Sequence, residues 1–187
     1  MAERGAKERR RKGLVIINTG DGKGKTTAAM GMGMRAAGNR MKVLALQFIK
    51  GTWKTGEIEA IKQLAPYFEL IRMGRGFTIE RLRDDRISEE EHRRAAQEAL
   101  AWVRERLTSG EYQVVILDEI LGSIKAGLVG LDQVLDLVQA KPPDLHLVLT
   151  GRGAPPELID VADLVTEMRP IKHPYEQGIM AQRGVEF

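Results

Sequence analysis

Residues Thr19 to Thr27 read "TGDGKGKTT" and follow the apolar run Leu14-Val15-Ile16-Ile17 by a single residue. Gly20, Gly22 and Gly24 let the backbone curl tightly, and Lys23 and Lys25 bring positive charge. Such a loop wraps an anion. From Thr19 to Thr26 it fits the phosphate-loop pattern except at the first position, where Thr19 replaces glycine. The context that the pattern needs, a strand before and a helix after, is expected here. Backbone N–H groups from Gly20 to Lys25 would then point at phosphate oxygens, helped by the helix N-terminus. Lys25 would neutralise phosphate charge, and the Thr26 hydroxyl would ligate Mg²⁺. Thr27 completes the "GKTT" run that enters the helix.

A phosphate loop needs an acidic partner at the end of a buried strand. "VVILDEI", Val114 to Ile120, supplies Asp118 and Glu119 behind four apolar residues. One carboxylate can hold Mg²⁺, directly or through water, while the other orients a ligand or a water molecule. The two segments together predict binding of a nucleoside triphosphate with Mg²⁺. They do not choose among kinases, motors, switches and transferases.

The rest of the chain alternates apolar runs with amphipathic segments. Strands are expected at Leu14–Thr19, Lys42–Phe48, Phe68–Met73, Gln113–Asp118, Leu145–Thr150 and Leu164–Arg169. Their density in Val, Ile and Leu suits strands covered on both faces. Helices are expected at Lys25–Ala37, Glu57–Leu64, Glu89–Leu107, Leu131–Gln139 and Pro156–Ala162. Ser88 and Glu91 form a capping box, and Gly38 suits a helix end. Gly31 and Gly33 in the first helix point to close packing on the sheet. The expected fold class is α/β, a P-loop NTPase-like (RecA-like), mostly parallel sheet of about six strands with helices on both faces. Ligands of such a sheet bind at the edge where its strands end. The segments after the strands bring Lys50, Arg75, Arg152 and Lys172 to that edge, a set suited to a polyanion.

Composition narrows the classes. The 187 residues are 43% hydrophobic and 29% charged, ordinary for a globular chain. One domain is expected over residues 13–187, preceded by a basic arm, residues 1–12. The arm carries six Lys or Arg against Glu3 and Glu8. No apolar run is long enough for a membrane span, and the N-terminus lacks the apolar stretch of a secretory signal. A cytoplasmic location with no membrane partner is therefore expected. With 5% aromatics and no basic–aromatic interleaving, no nucleic-acid partner is expected either. The chain has no cysteine, which excludes disulfides, thiolate metal sites and cysteine nucleophiles. Any redox step needs an outside electron donor.

Several segments in order, "TGDGKGKTTAA", "LQFIKGTWKTGE", "MGRGFT", "VVILDEI" and "LTGRGAPPELIDVADLVTEMRPIKHPYEQGIMAQRGVEF", resemble one family closely. It is the ATP:corrinoid adenosyltransferase family of cobalamin biosynthesis and salvage, and the resemblance runs from about Gly13 to Phe187. The P-loop alone is unspecific; "QFIKGTW", "TGRG", "RPIKH" and the "GIMAQRGVEF" ending carry the specificity. The resemblance implies that a corrinoid cobalt, reduced to Co(I), attacks the 5′-carbon of ATP and expels triphosphate. The loop then cradles a leaving group. Mg²⁺ contacts fall on Thr26 and Glu119, with Asp118 adjacent. Lys25 and Glu119 are the implied catalytic residues, and Thr19–Thr27 with Arg152 the implied nucleotide contacts. "GFT" corresponds to the corrinoid-facing loop, where Phe77 is implied to displace the lower axial ligand of cobalt. Ile79 stands where relatives often carry tryptophan. The family further implies a homodimer, whose basic N-terminal segments can cover the partner's corrinoid site, and an external electron donor such as a flavoprotein.

The histidines fit no lower-ligand motif. Asp144-Leu145-His146 begins a D-x-H-x-x-G pattern, but Leu149 stands where glycine is required. His146 is expected to be structural and His92 solvated on a charged helix face. His173 can approach the nucleotide or serve structurally. Two other functions compete with adenosyl transfer: a P-loop NTPase or kinase releasing ADP, and a nucleotide-gated binding module.

Overall fold

A computed structural model describes residues 12–49, 55–74, 76 and 87–186. The strands are β1 (Val15–Thr19), β2 (Val43–Gln47), β3 (Phe68–Arg72), β4 (Val114–Asp118), β5 (His146–Thr150) and β6 (Leu164–Glu167). The helices are α1 (Lys25–Gly38), α2 (Gly56–Lys62), α3 (Glu89–Leu107), α4 (Ile120–Lys125), α5 (Leu131–Ala140) and α6 (Pro156–Val161). A short 3₁₀ turn, Pro174–Gln177, interrupts the otherwise irregular C-terminal tail. The six strands form one sheet in the order β3-β2-β4-β5-β1-β6, and every pairing is parallel. All strands therefore end on one edge.

Side chains alternate across each strand, so each central strand feeds two cores. Val15, Ile17, Leu44, Leu46, Val115, Leu117, Leu147 and Leu149 face α3, α4, α5 and α6 on one side. Ile16, Val43, Ala45, Val114, Ile116 and Val148 face the other side, with Ala29, Met30, Ala36 and Ala37 of α1. The expectation of strands covered on both faces holds for β1, β2, β4 and β5. It fails for the edge strands: β3 and β6 are mostly half-buried or exposed, because each has a neighbour on one side only.

The glycines of α1 divide. A side chain on Gly33 would run into the Phe68 ring at 2.5 Å, so this position needs glycine for close helix–sheet packing. A side chain on Gly31 would meet nothing within 4 Å, so packing does not require glycine there. The α3 capping box forms as expected: Ser88 Oγ accepts from Glu91 N, and Glu91 Oε2 accepts from Ser88 N. α4 was not expected, since "EILGS" reads as a connecting segment. Its Ile120 and Leu121 are fully buried, and that burial makes a helix of so short a piece.

His92 is also corrected. It lies on the charged N-terminal part of α3 but is only 4% exposed, because its position faces the sheet side of the helix with Ala95, Ala96 and Ala99. His146 is structural as expected; its Nδ1 accepts from Leu14 N at 3.2 Å, tying β5 to the entry of β1.

Candidate active site

The phosphate loop leaves β1 and enters α1 at the strand-terminal edge. Gly20 and Gly24 both have positive φ, +96° and +109°, a conformation that favours glycine. Gly20 is crowded as well: a side chain there would lie 2.4 Å from Met168 O. Met168 follows β6, and its carbonyl accepts from Gly22 N at 2.7 Å. That N–H was expected to face phosphate, and here the exit of β6 uses it. The P-loop is thus pinned from behind by the start of the C-terminal tail.

Lys25 is 7% exposed. Its ammonium donates to Gly20 O and Gly22 O, each at 2.7 Å, so the loop is closed around its own lysine. Burial lowers its pKa from the ordinary 10.5; the Glu119 carboxylate opposes that, Arg152 adds to it, and Asp21 and Asp118 oppose it. Lys25 therefore sits amid the same charged groups that were read from the sequence.

Asp118, at the end of β4, is fully buried. Its Oδ1 accepts from the Thr26 hydroxyl at 2.7 Å and the Thr150 hydroxyl at 2.8 Å. Its Oδ2 accepts from Gln47 Nε2 at 3.0 Å. Only the amide nitrogen can donate to a carboxylate, so the Gln47 amide has one possible orientation, and its Oε1 is left buried without a partner. Glu119 N donates to Thr150 Oγ1 at 3.0 Å, so the Thr150 hydroxyl links both acidic residues. Glu119 takes a left-handed conformation, φ +63°, and caps α4. That turn takes Glu119 out of the strand direction: Asp118 lies behind Thr26, and both carboxylates favour the charged form of Lys25. A bulky residue held with positive φ at such an edge is the kind of local strain that functional sites retain.

The outer rim carries two ion pairs. Arg152 Nη1 lies 3.8 Å from Asp21 Oδ1, both exposed. Lys23 Nζ lies 2.7 Å from Glu186 Oε2, near the chain's C-terminus. Ala154 N donates to Thr19 Oγ1 at 3.1 Å, which joins the "TGRG" segment to the phosphate loop. His173 Nδ1 accepts from Tyr175 N at 3.1 Å and caps the 3₁₀ turn. Phe77, Ile79, Lys50, Arg75 and the basic arm up to Arg11 lie outside the described residues.

The donor set suits Mg²⁺. Thr26 and Asp118 offer hard oxygen atoms, and a hydroxyl that donates to Asp118 keeps lone pairs for a cation. Among the described residues no group of three or more His, Asp or Glu side chains could hold a metal. A cation here would be shared between the Thr26 side and substrate phosphates, the usual habit of Mg²⁺. Sequence reasoning missed Gln47, Thr150, Met168 and Glu186 as parts of this site. Their signal was present, since all four fall in the distinctive segments "QFIKG", "LTGRG" and the C-terminal stretch, but only the fold assigns them partners.

Comparison with known proteins fits this geometry. Residues 11–187 match the family described as ATP:corrinoid adenosyltransferase BtuR/CobO/CobP. The chain belongs to the ATP:corrinoid adenosyltransferase family. A corrinoid adenosyltransferase of Pseudomonas aeruginosa is 40% identical, over 99% of this chain and 89% of that one. One from Sinorhizobium is 41% identical, over 94% and 81%, and one from Salmonella typhimurium 34% identical, over 97% and 89%. In three dimensions the chain is similar to the flagellar accessory protein FlaH of Methanocaldococcus jannaschii, with a TM-score of 0.51 and 16% identity over 83% of this chain and 70% of that one. Likeness at that identity shows the fold alone.

Proposed function

We propose that this adenosyltransferase moves the 5′-deoxyadenosyl group of ATP to the cobalt of a corrinoid and releases inorganic triphosphate. The observation that carries the reading is the match of residues 11–187 to the family, together with a phosphate loop whose Thr26 is bonded to Asp118. In the reaction the Co(I) substrate donates its electron pair to C5′. The C5′–O bond breaks, its electrons leave with triphosphate, and cobalt ends as alkylated Co(III). The phosphate loop therefore serves a leaving group.

The chain's own contribution is position and charge. The Lys25 ammonium, now held by Gly20 O and Gly22 O, is released to triphosphate oxygens and stabilises the charge that grows there. Exchange of carbonyl partners for phosphate keeps the buried ammonium paired throughout. Arg152 at the rim and the N-terminus of α1 add positive potential. Asp118 orients the Thr26 hydroxyl, and the Glu119 carboxylate opposes the effect of burial on the Lys25 ammonium. Thr26 and Glu119, with Asp118 adjacent, would hold Mg²⁺, which supplies further charge neutralisation when bound. Phe77 and Ile79 would contact the corrinoid in this reading. The corrinoid arrives reduced by an external donor such as a flavoprotein, since a chain without cysteine offers no thiol for the purpose. Such a donor favours the cytoplasm, the more reducing compartment. A homodimer completes the proposal, its basic arms lying over the partner's corrinoid.

An anaerobic assay with ATP, Mg²⁺ and chemically reduced cobalamin tests the reaction. Loss of the Co(I) chromophore with stoichiometric triphosphate is expected. ADP and phosphate with an unchanged chromophore would establish an ordinary NTPase instead.

A further inference from the structure

The C-terminal tail is tied to the phosphate loop at two points. Met168 O accepts from Gly22 N where the tail begins. Glu186 pairs with Lys23 at 2.7 Å where it ends. Between these anchors the tail exposes Ile171, Tyr175, Met180 and Val185. The Glu186 side chain stands apart from that exposure, being only 14% exposed. The amides of Val185 and Glu186 close a turn on Gln182 O at 3.2 and 2.9 Å. The end of the tail is therefore ordered around one carboxylate, and that carboxylate holds a lysine of the phosphate loop.

Lys23 is two residues from Lys25, in a loop shaped to receive phosphate. A triphosphate brings several negative charges to that loop, and a carboxylate brings one. Both compete for the Lys23 ammonium, and the polyphosphate has the stronger field. The same exchange repeats across the site: Lys25 is held by carbonyls and Arg152 by Asp21 until a stronger anion arrives.

We propose that Glu186 is a positioning residue of the phosphate loop. It holds Lys23 while the loop lacks nucleotide and yields it to the triphosphate, so that binding unlatches the C-terminal tail. The tail thereby reports occupancy of the phosphate loop over its last residues. This inference rests on the phosphate-loop reading and does not depend on adenosyl transfer.

The test is hydrogen exchange of the full chain, followed in the peptide covering residues 180–187, without ligand and with saturating Mg·ATP or inorganic tripolyphosphate. Calorimetry with tripolyphosphate establishes saturation. In the unaltered protein the peptide's exchange should rise about two- to five-fold on adding either ligand, the scale of one partly exposed ion pair. Glu186→Gln should show the raised exchange with no ligand and bind tripolyphosphate about two- to five-fold more tightly, since nothing competes for Lys23. The charge-swapped double variant, Lys23→Glu with Glu186→Lys, should regain the slow exchange and lose the response to tripolyphosphate. A peptide indifferent to both ligands, or a Glu186→Gln protein that exchanges like the unaltered one, overturns the latch. So does failure of both ligands to bind, which removes the phosphate-loop reading as well. Intact unlatching in a protein that fails to adenosylate reduced cobalamin would remove the proposed reaction and leave the latch standing.

Discussion

Replacing Asp118 by asparagine and by alanine should give two different failures. Asp118 is fully buried and accepts from three donors: Thr26 and Thr150 on Oδ1, Gln47 on Oδ2. Alanine strands the Gln47 amide and the Thr150 hydroxyl, both fully or almost fully buried. Each orphaned donor costs about 1–3 kcal/mol, so a loss of about 3 kcal/mol is expected. For a chain of this size that is roughly 6–12 °C in Tm. Asparagine keeps an oxygen for the two hydroxyls and turns its NH₂ toward Gln47. Gln47 can answer by rotating its amide, because its Oε1 is at present without a partner. Rotation leaves the Gln47 NH₂ as the one orphaned donor where alanine leaves two, so the stability loss should be about half, ~1.5 kcal/mol or roughly 3–6 °C. Activity separates from stability: the amide has no charge, and turnover should fall about 10- to 100-fold in Asp118→Asn, the scale for a group that orients a metal ligand. The assay pairs a thermal melt with adenosylation of chemically reduced cobalamin over a range of Mg²⁺ concentrations. Equal melting of the two variants would refute the compensating rotation of Gln47. Full turnover in Asp118→Asn would refute the role of Asp118 behind Thr26.

Lys25→Ala should lower turnover at least about 100-fold with little change in Tm, because its present partners, Gly20 O and Gly22 O, belong to a loop at the sheet's edge. Burial lowers the Lys25 pKa, so its cationic form is lost at a lower pH than the ordinary 10.5. The alkaline limb of kcat/KM for ATP should therefore begin below that value, while the limb of kcat moves higher, since bound triphosphate favours the charged form. Gly33→Ala should destabilise by about 1–3 kcal/mol through its clash with Phe68, whereas Gly31→Ala should stabilise by up to about 1 kcal/mol; urea melts of the pair check this. Phe77→Ala should impair adenosylation from Co(II) with a weak reductant much more than from chemically generated Co(I), and Ile79→Trp should be tolerated in both assays. Equal loss in both assays for Phe77→Ala, with a large fall in Tm, would make Phe77 a packing residue.

Local pattern along the chain is enough for several elements. Alternating apolar runs placed all six strands within about two residues, since a strand buried on both faces has few other places to go. The capping box set the start of α3, and Glu89–Leu107 appears with the expected bounds. "GKTT" after a strand and "VVILDE" as a second strand end named Lys25, Thr26, Asp118 and Glu119, because glycine spacing and adjacent carboxylates are written in consecutive residues.

Tertiary structure decided whatever depends on residues far apart in the chain. α4 is helical because Ile120 and Leu121 are buried, and a six-residue piece has too little local signal to announce itself. The burial of His92 came from the side of α3 that meets the sheet, which a charged local composition conceals. Asp118 and Glu119 are neighbours in sequence, yet Asp118 goes to Thr26 while a single left-handed turn takes Glu119 out of the strand direction. Gln47 and Thr150 reach Asp118 only because β2 and β5 flank β4 in a parallel sheet. Lys23 and Glu186 stand 163 residues apart and meet because the tail returns from β6 across the phosphate loop. Sequence pattern records what each segment can become; which side chains then share a hydrogen bond is fixed by the order of strands in the sheet, and that order is a property of the whole chain.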